Sequence, residues 1–198
     1  MKRGLWIGLL AAAGIVGLLF LMFGGTYNSL VASEEAVSEA WAQVENVYQR
    51  RLDLIPNLVE TVKGYAAHER ETLEAVVQAR SKITETKISP KDLADPQALA
   101  RFEAVQQGLT SALSRLLVVV EQYPDLKANQ NFLALQSQLE GTENRIAVER
   151  RRFNEAARAF NTKVRIFPNN VMAGWMGLQK KAYFAADEAA KTVPTVKF

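Results

Sequence analysis

The chain has 198 residues, 24 Lys and Arg against 21 Asp and Glu, one histidine and no cysteine. That excludes disulfide scaffolds, thiol catalysis and thiolate metal sites, and His68 alone cannot build a two-histidine metal site. Lys2 and Arg3 are two of the basic residues, so residues 4–198 carry 22 against 21, without the clustered basic face that nucleic-acid binding requires.

From Gly4 to Ser33 there is no charged residue, and Leu5 to Phe23 is almost wholly apolar. A helix rises about 1.5 Å per residue, so roughly 20 such residues cross a hydrocarbon core of about 30 Å. The run exceeds the apolar core of a cleaved signal peptide, and Phe23-Gly24-Gly25-Thr26-Tyr27 is a poor cleavage site. We therefore expect an uncleaved anchor over residues 1–25, in contact with the lipid bilayer through residues 4–25. Lys2 and Arg3 precede the span, Glu34, Glu35 and Glu39 follow it, and the next basic residue is Arg50. This flank bias predicts a cytoplasmic N-terminus and a domain on the other side. Gly4, Gly8 and Ala12 give the small-residue spacing through which such helices pack.

Beyond the anchor, Ala, Glu, Leu, Gln, Arg and Val dominate and apolar residues recur at helical steps. A first helix is expected over about Asn28–Thr86, with the stripe Val37, Trp41, Val44, Tyr48, Ile55, Leu58, Val62, Ala66, Leu73, Val76 and Ile83. Pro56 lies inside it and predicts a kink near Arg51–Leu54; Gly64 is a second soft point. A second helix follows Ser89-Pro90 or Asp95-Pro96, each a cap residue before proline, and ends at Tyr123-Pro124. A third starts near Asp125 and stops at Phe167-Pro168. A fourth follows Asn169-Asn170 and carries Val171, Met172, Trp175, Leu178, Ala182, Tyr183 and Phe184. The expectation is an all-α protein: an N-terminal transmembrane helix, then an antiparallel bundle of three to four long helices over residues 26–186, with 187–198 a flexible tail.

These residues resemble the LemA family of bacterial membrane-anchored helical proteins. The match is carried by Arg50-Arg51-Leu52-Asp53-Leu54-Ile55-Pro56-Asn57-Leu58-Val59, by Val62-Lys63-Gly64-Tyr65, and by Tyr123-Pro124-Asp125-Leu126-Lys127-Ala128. Leu139-Glu140-Gly141-Thr142-Glu143-Asn144-Arg145-Ile146-Ala147, Phe153-Asn154, Phe160-Asn161 and Phe167-Pro168 extend it. The resemblance implies a single N-terminal span in the bacterial inner membrane and an all-helical domain. Some relatives assist magnetosome membrane formation, which points to membrane organisation more than to catalysis, and the family offers no catalytic set.

Arg50 and Arg51 with Asp53, next to Pro56 and Asn57, form the first candidate site. Proline frees a carbonyl about four residues back, which Asn57 or an arginine can satisfy. With Glu143, Asn144 and Arg145 these residues would make an interhelical polar network, either fixing register or binding a partner. Asn154 and Asn161 are seven apart on one face, as register-setting amides or as a partner groove. Arg150-Arg151-Arg152 is the one basic run, and Trp175 with Met172, Met176, Tyr183 and Phe184 reads as core or as an apolar interface. His68-Glu69 lacks the second histidine of a zinc-protease helix, since Thr72 stands there. No cofactor and no metal are expected. The functional expectation is a non-enzymatic, membrane-anchored scaffold whose partners are further copies of itself or other membrane proteins. The alternative is a sensor or relay working through a ligand-responsive kink.

Overall fold

The computed structural model describes residues 2–86 and 88–185, with the side chains of residues 2–5, 11, 15, 16 and 18–22 outside the description. The 187–198 tail, the charges of Lys2 and Arg3 and the Gly4 end of the small-residue spacing therefore lie outside the described residues. The chain is all-α. Six α-helices and one 3-10 turn follow one another, with no strand among the described residues: α1 (Lys2–Lys63), α2 (Arg70–Glu85), the turn Asp92–Ala94, α3 (Pro96–Val120), α4 (Pro124–Lys127), α5 (Gln130–Lys163) and α6 (Asn169–Trp175). Among the described residues no helix is long and apolar enough to cross a membrane, so the transmembrane helix expected over residues 1–25 is not found among them.

α1 is a single helix of 62 residues, about 93 Å long. It passes Pro56 without interruption, so the proline expected to kink the chain near Arg51–Leu54 does not end the helix. The reason lies in the neighbouring helix. Pro56 has no N–H, which frees the Leu52 carbonyl one turn back, and Arg80 Nε donates to that carbonyl at 3.2 Å. The break falls instead at Gly64, after which α2 turns back along α1. Leu73, Val76 and Ile83 thus belong to a second, antiparallel helix.

α3 begins at a capped end, where Asp95 accepts from the Gln97 N–H at 2.8 Å and Pro96 occupies the first turn. α5 is likewise capped, by Asn129 on the Phe132 N–H at 3.0 Å. It returns the full length of the bundle, from Asn129, whose amide donates to Tyr65, to Lys163, which donates to the Ser29 carbonyl at 3.2 Å. The helices therefore run up, down, up and down relative to α1.

The expected fourth helix is corrected. α6 ends at Trp175, Gly177 follows in the left-handed region (φ 68°), and Leu178–Ala185 has no helix. A Cβ disfavours that backbone region, so glycine suits the turn. The last described residues form a strap lying back over the α1 half nearer the N-terminus.

Two apolar clusters result. The proximal one, nearer the start of α1, gathers Trp41, Tyr48, Phe102, Phe153, Phe160 and Phe184 with Leu30, Val37 and Leu93. The distal one is built from Ile55, Leu58, Val62, Val76, Leu109, Leu116 and Leu126, with Phe132 its one buried aromatic side chain.

Candidate functional site

Between the two clusters lies a polar layer centred on Arg51. Arg51 sits at a position of the α1 stripe where apolar side chains are otherwise found, between Tyr48 and Ile55, and is 2 % exposed. A buried guanidinium must be paired and hydrogen-bonded to be tolerated. Nη1 donates to Glu143 Oε2 at 2.9 Å and to Thr110 Oγ1 at 3.2 Å. Nη2 donates to Gln106 Oε1, and the guanidinium lies 5.3 Å from the Tyr48 ring centroid. Gln106 and Thr142 are buried as well, and each stands at a stripe position of its own helix. Three helices thus place a polar residue at one level. Glu143 is half-exposed, so solvent reaches the ion pair from one side only.

The layer opens on a cleft of about 480 Å³ lined by Tyr48, Arg51, Glu103, Thr110, Glu143 and Arg150, among others. Arg51 Nε and Gln106 Nε2 are buried donors with no acceptor among the described residues. At the proximal edge Glu103 pairs with Arg150. Burial pushes the Glu103 carboxyl above its ordinary value, and the Arg150 charge draws it partly back. Chemically the cleft can hold a small polar group rich in acceptors. Among the described residues no group of three or more metal-ligating side chains is assembled.

The other residues singled out from the sequence divide clearly. Arg50, Asp53, Pro56, Asn57, Asn144 and Arg145 are exposed. Asp53 accepts from Gln49 at 2.7 Å, and Asn57 contributes its backbone carbonyl to Thr61 Oγ1 at 2.7 Å. The expected network of both arginines with Glu143, Asn144 and Arg145 therefore reduces to Arg51 and Glu143, joined by Gln106 and Thr110. In the basic run, Arg150 faces inward at 4.7 Å from the Phe184 ring, Arg152 pairs with Glu149 at 2.9 Å, and Arg151 is exposed. His68 is exposed on the α1–α2 turn.

Asn154 and Asn161 do share a face, and what they hold is the strap. Asn161 Oδ1 accepts from the Lys181 N–H at 2.8 Å, and its Nδ2 donates to the Lys181 carbonyl at 2.8 Å. Asn154 treats Phe184 in the same way, at 2.9 and 3.1 Å. The repeat lengths agree. Seven helical residues advance about 10.5 Å, and three extended residues advance about 10 Å. An amide carries a donor and an acceptor side by side, so it can replace the strand partner that an extended segment lacks. The Ala182 N–H donates to the Leu93 carbonyl at 2.7 Å. The Ala185 carbonyl accepts from Arg150 at 3.2 Å.

Sequence reasoning passes over Gln106, Thr110, Arg80 and Glu103. Gln106 had a usable signal, because it interrupts the run Phe102, Leu109, Ala112 and Leu116 at helical spacing. Arg80 and Glu103 had none, as both lie among many charged residues on half-exposed faces.

The LemA family profile matches residues 40–198, a stretch that holds the Arg51 layer, both strap-binding asparagines and the strap itself. The chain is 27 % identical over 173 residues to Protein LemA of Metamycoplasma hominis, covering 87 % of this chain and 75 % of that protein. It is 28 % identical over 182 residues to Magnetosome protein MamQ of Magnetospirillum gryphiswaldense and to Magnetosome protein MamQ 1 of Paramagnetospirillum magneticum, in each case over 84 % of this chain and 67 % of the relative. With the profile covering residues 40–198 and a LemA relative matched over 87 % of this chain, the chain belongs to the LemA family.

Proposed function

We propose that the chain is a non-enzymatic, single-pass scaffold of the bacterial inner membrane, anchored through residues 4–25, with its helical domain outside the cytoplasm. It would present helix faces to further copies of itself or to neighbouring membrane proteins. The observation that carries the reading is the continuity of α1. The uncharged run Gly4–Ser33 and the central helix of the bundle are one helix of 62 residues, so an anchor and a docking body would move as a unit with no linker between them. The relatives named for magnetosomes support a membrane role, and the names of the relatives carry no enzymatic activity.

The absence of native cysteine makes the test direct. A single Asn144→Cys, exposed on α5, should react with a membrane-impermeant maleimide in spheroplasts while the protein resists alkaline extraction. Cross-linking in the same membranes should capture multimers of the chain or defined neighbours. Extraction by alkali, labelling only after lysis, or monomers alone would overturn the reading. The relay alternative has the cleft beside Arg51 as its support.

A further inference from the structure

The end of the molecule next to the uncharged run carries an unusual surface. Ile166, Phe167, Val171 and Trp175 are 54, 78, 40 and 76 % exposed. α6 buries Ala173 alone among its residues. Of the two readings of Trp175, core or apolar interface, the first is therefore corrected. Its ring instead stacks on Phe23, with centroids 6.1 Å apart and planes 13° from parallel. Apolar side chains exposed together on one short segment mark a contact site in a folded domain, whereas Tyr65, Val77, Leu133 and Val148 are scattered singly.

Position decides the occupant. Leu5 to Phe23 spans about 28 Å as helix, close to one hydrocarbon thickness. Phe23 would then stand at the boundary between acyl chains and headgroups, and Trp175 beside it at the same depth. Tryptophan has an apolar body and a polar N–H, which suits that boundary. Arg165, exposed just before the patch and two residues beyond Lys163, which reaches the Ser29 carbonyl, supplies a cation near headgroup level. We infer that α6 and the residues just before it form a second membrane contact, an interfacial foot seated on the bilayer that residues 4–25 cross. The inference rests on the proposed anchor. Its effect is to fix the tilt and rotation of the bundle, which a lone span leaves to packing.

Full-length protein carrying Trp6→Phe retains buried Trp41 and exposed Trp175 as its fluorophores. It is reconstituted into vesicles of phosphatidylethanolamine and phosphatidylglycerol containing lipid brominated either near the carbonyl end or near the methyl end of the chain. Shallow bromine should quench a fraction of the emission that deep bromine spares, and adding Trp175→Phe should abolish that fraction. Equal quenching with and without Trp175 in alkali-resistant vesicles overturns the foot while leaving the anchor intact. Loss of the protein from the vesicles in alkali overturns the anchor and the foot together. A Val171→Cys variant that cross-links copy to copy while Trp175 stays unquenched assigns the patch to self-association, and so also overturns the foot.

Discussion

The two halves of the bundle solve the same problem with different materials. The distal half is closed by four helices that satisfy their own backbone, and its core is aliphatic apart from Phe132. In the proximal half α2 is missing, because that helix has 16 residues against 34 in α5. An extended strap fills the place. A strap has no internal hydrogen bonds, so it imports them from Asn154, Asn161, Leu93 and Arg150. It also offers few side chains per unit length to fill the gap, and large rings do so instead. Trp41 meets Phe102 and Phe153 edge-on at 5.5 and 5.6 Å and stacks on Phe184 at 6.0 Å. The lesson is that a helix closes a core by itself, whereas an extended segment does so only where its neighbours carry the matching polar groups.

The Arg51 layer is the seam between the halves, and opening it has the largest expected effect. Glu143→Ala leaves a buried guanidinium with neutral partners only. Removing one side of a buried pair costs about 3–5 kcal/mol. Here solvent reaches the Glu143 side, so about 2–4 kcal/mol is expected by denaturant unfolding in mild detergent. Arg51→Met added to Glu143→Ala should restore most of that stability, because an apolar stem then joins the two clusters. A single variant as stable as the parent would show that the seam holds nothing.

Asn161→Ala acts on the proximal half alone. It strips both partners from the Lys181 backbone, at about 1–3 kcal/mol for buried groups left unpaired. Hydrogen exchange should accelerate at the strap amides and stay unchanged at Leu109 and Leu116. Equal acceleration in both halves would mean that they open as one unit.

The smallest effect concerns Glu103. A carboxyl raised by burial holds its proton more tightly in the folded chain than in the unfolded one. Its contribution is therefore fully present below the ordinary value of 4.5 and is lost as pH rises through the raised value. The stability of the parent relative to Glu103→Gln should fall across that window. A difference that is flat with pH would place the Glu103 charge in solvent.

Much of this was legible in the residues. The stripes of α1, α3 and α5 name most of both cores, and Asp95-Pro96 marks a real start, whereas α5 stops at Lys163, four residues before Phe167. The effect of Pro56 was not legible, because it depends on whether a partner takes the freed carbonyl, and Arg80 lies 28 positions from Leu52. Arg51 was distinguishable from Arg50 in principle, since it alone falls on the apolar stripe. The strap was not legible. Leu178 and Ala182 fit helical spacing, Ala182 and Phe184 fit an extended one, and what decides between them is a pair of amides on another helix.

The strap also sets an order of events during biosynthesis. α1 and the residues that close its proximal half are far apart in the chain: Glu34 and Lys181 form an ion pair across 147 positions. Chains emerge from the ribosome N-terminus first. The distal half can assemble as soon as α5 is under way, while the aromatic half must wait for the strap that follows α6. Until the strap is in place, Trp41 keeps its edge-on contacts with Phe102 and Phe153 but leaves bare the face on which Phe184 stacks.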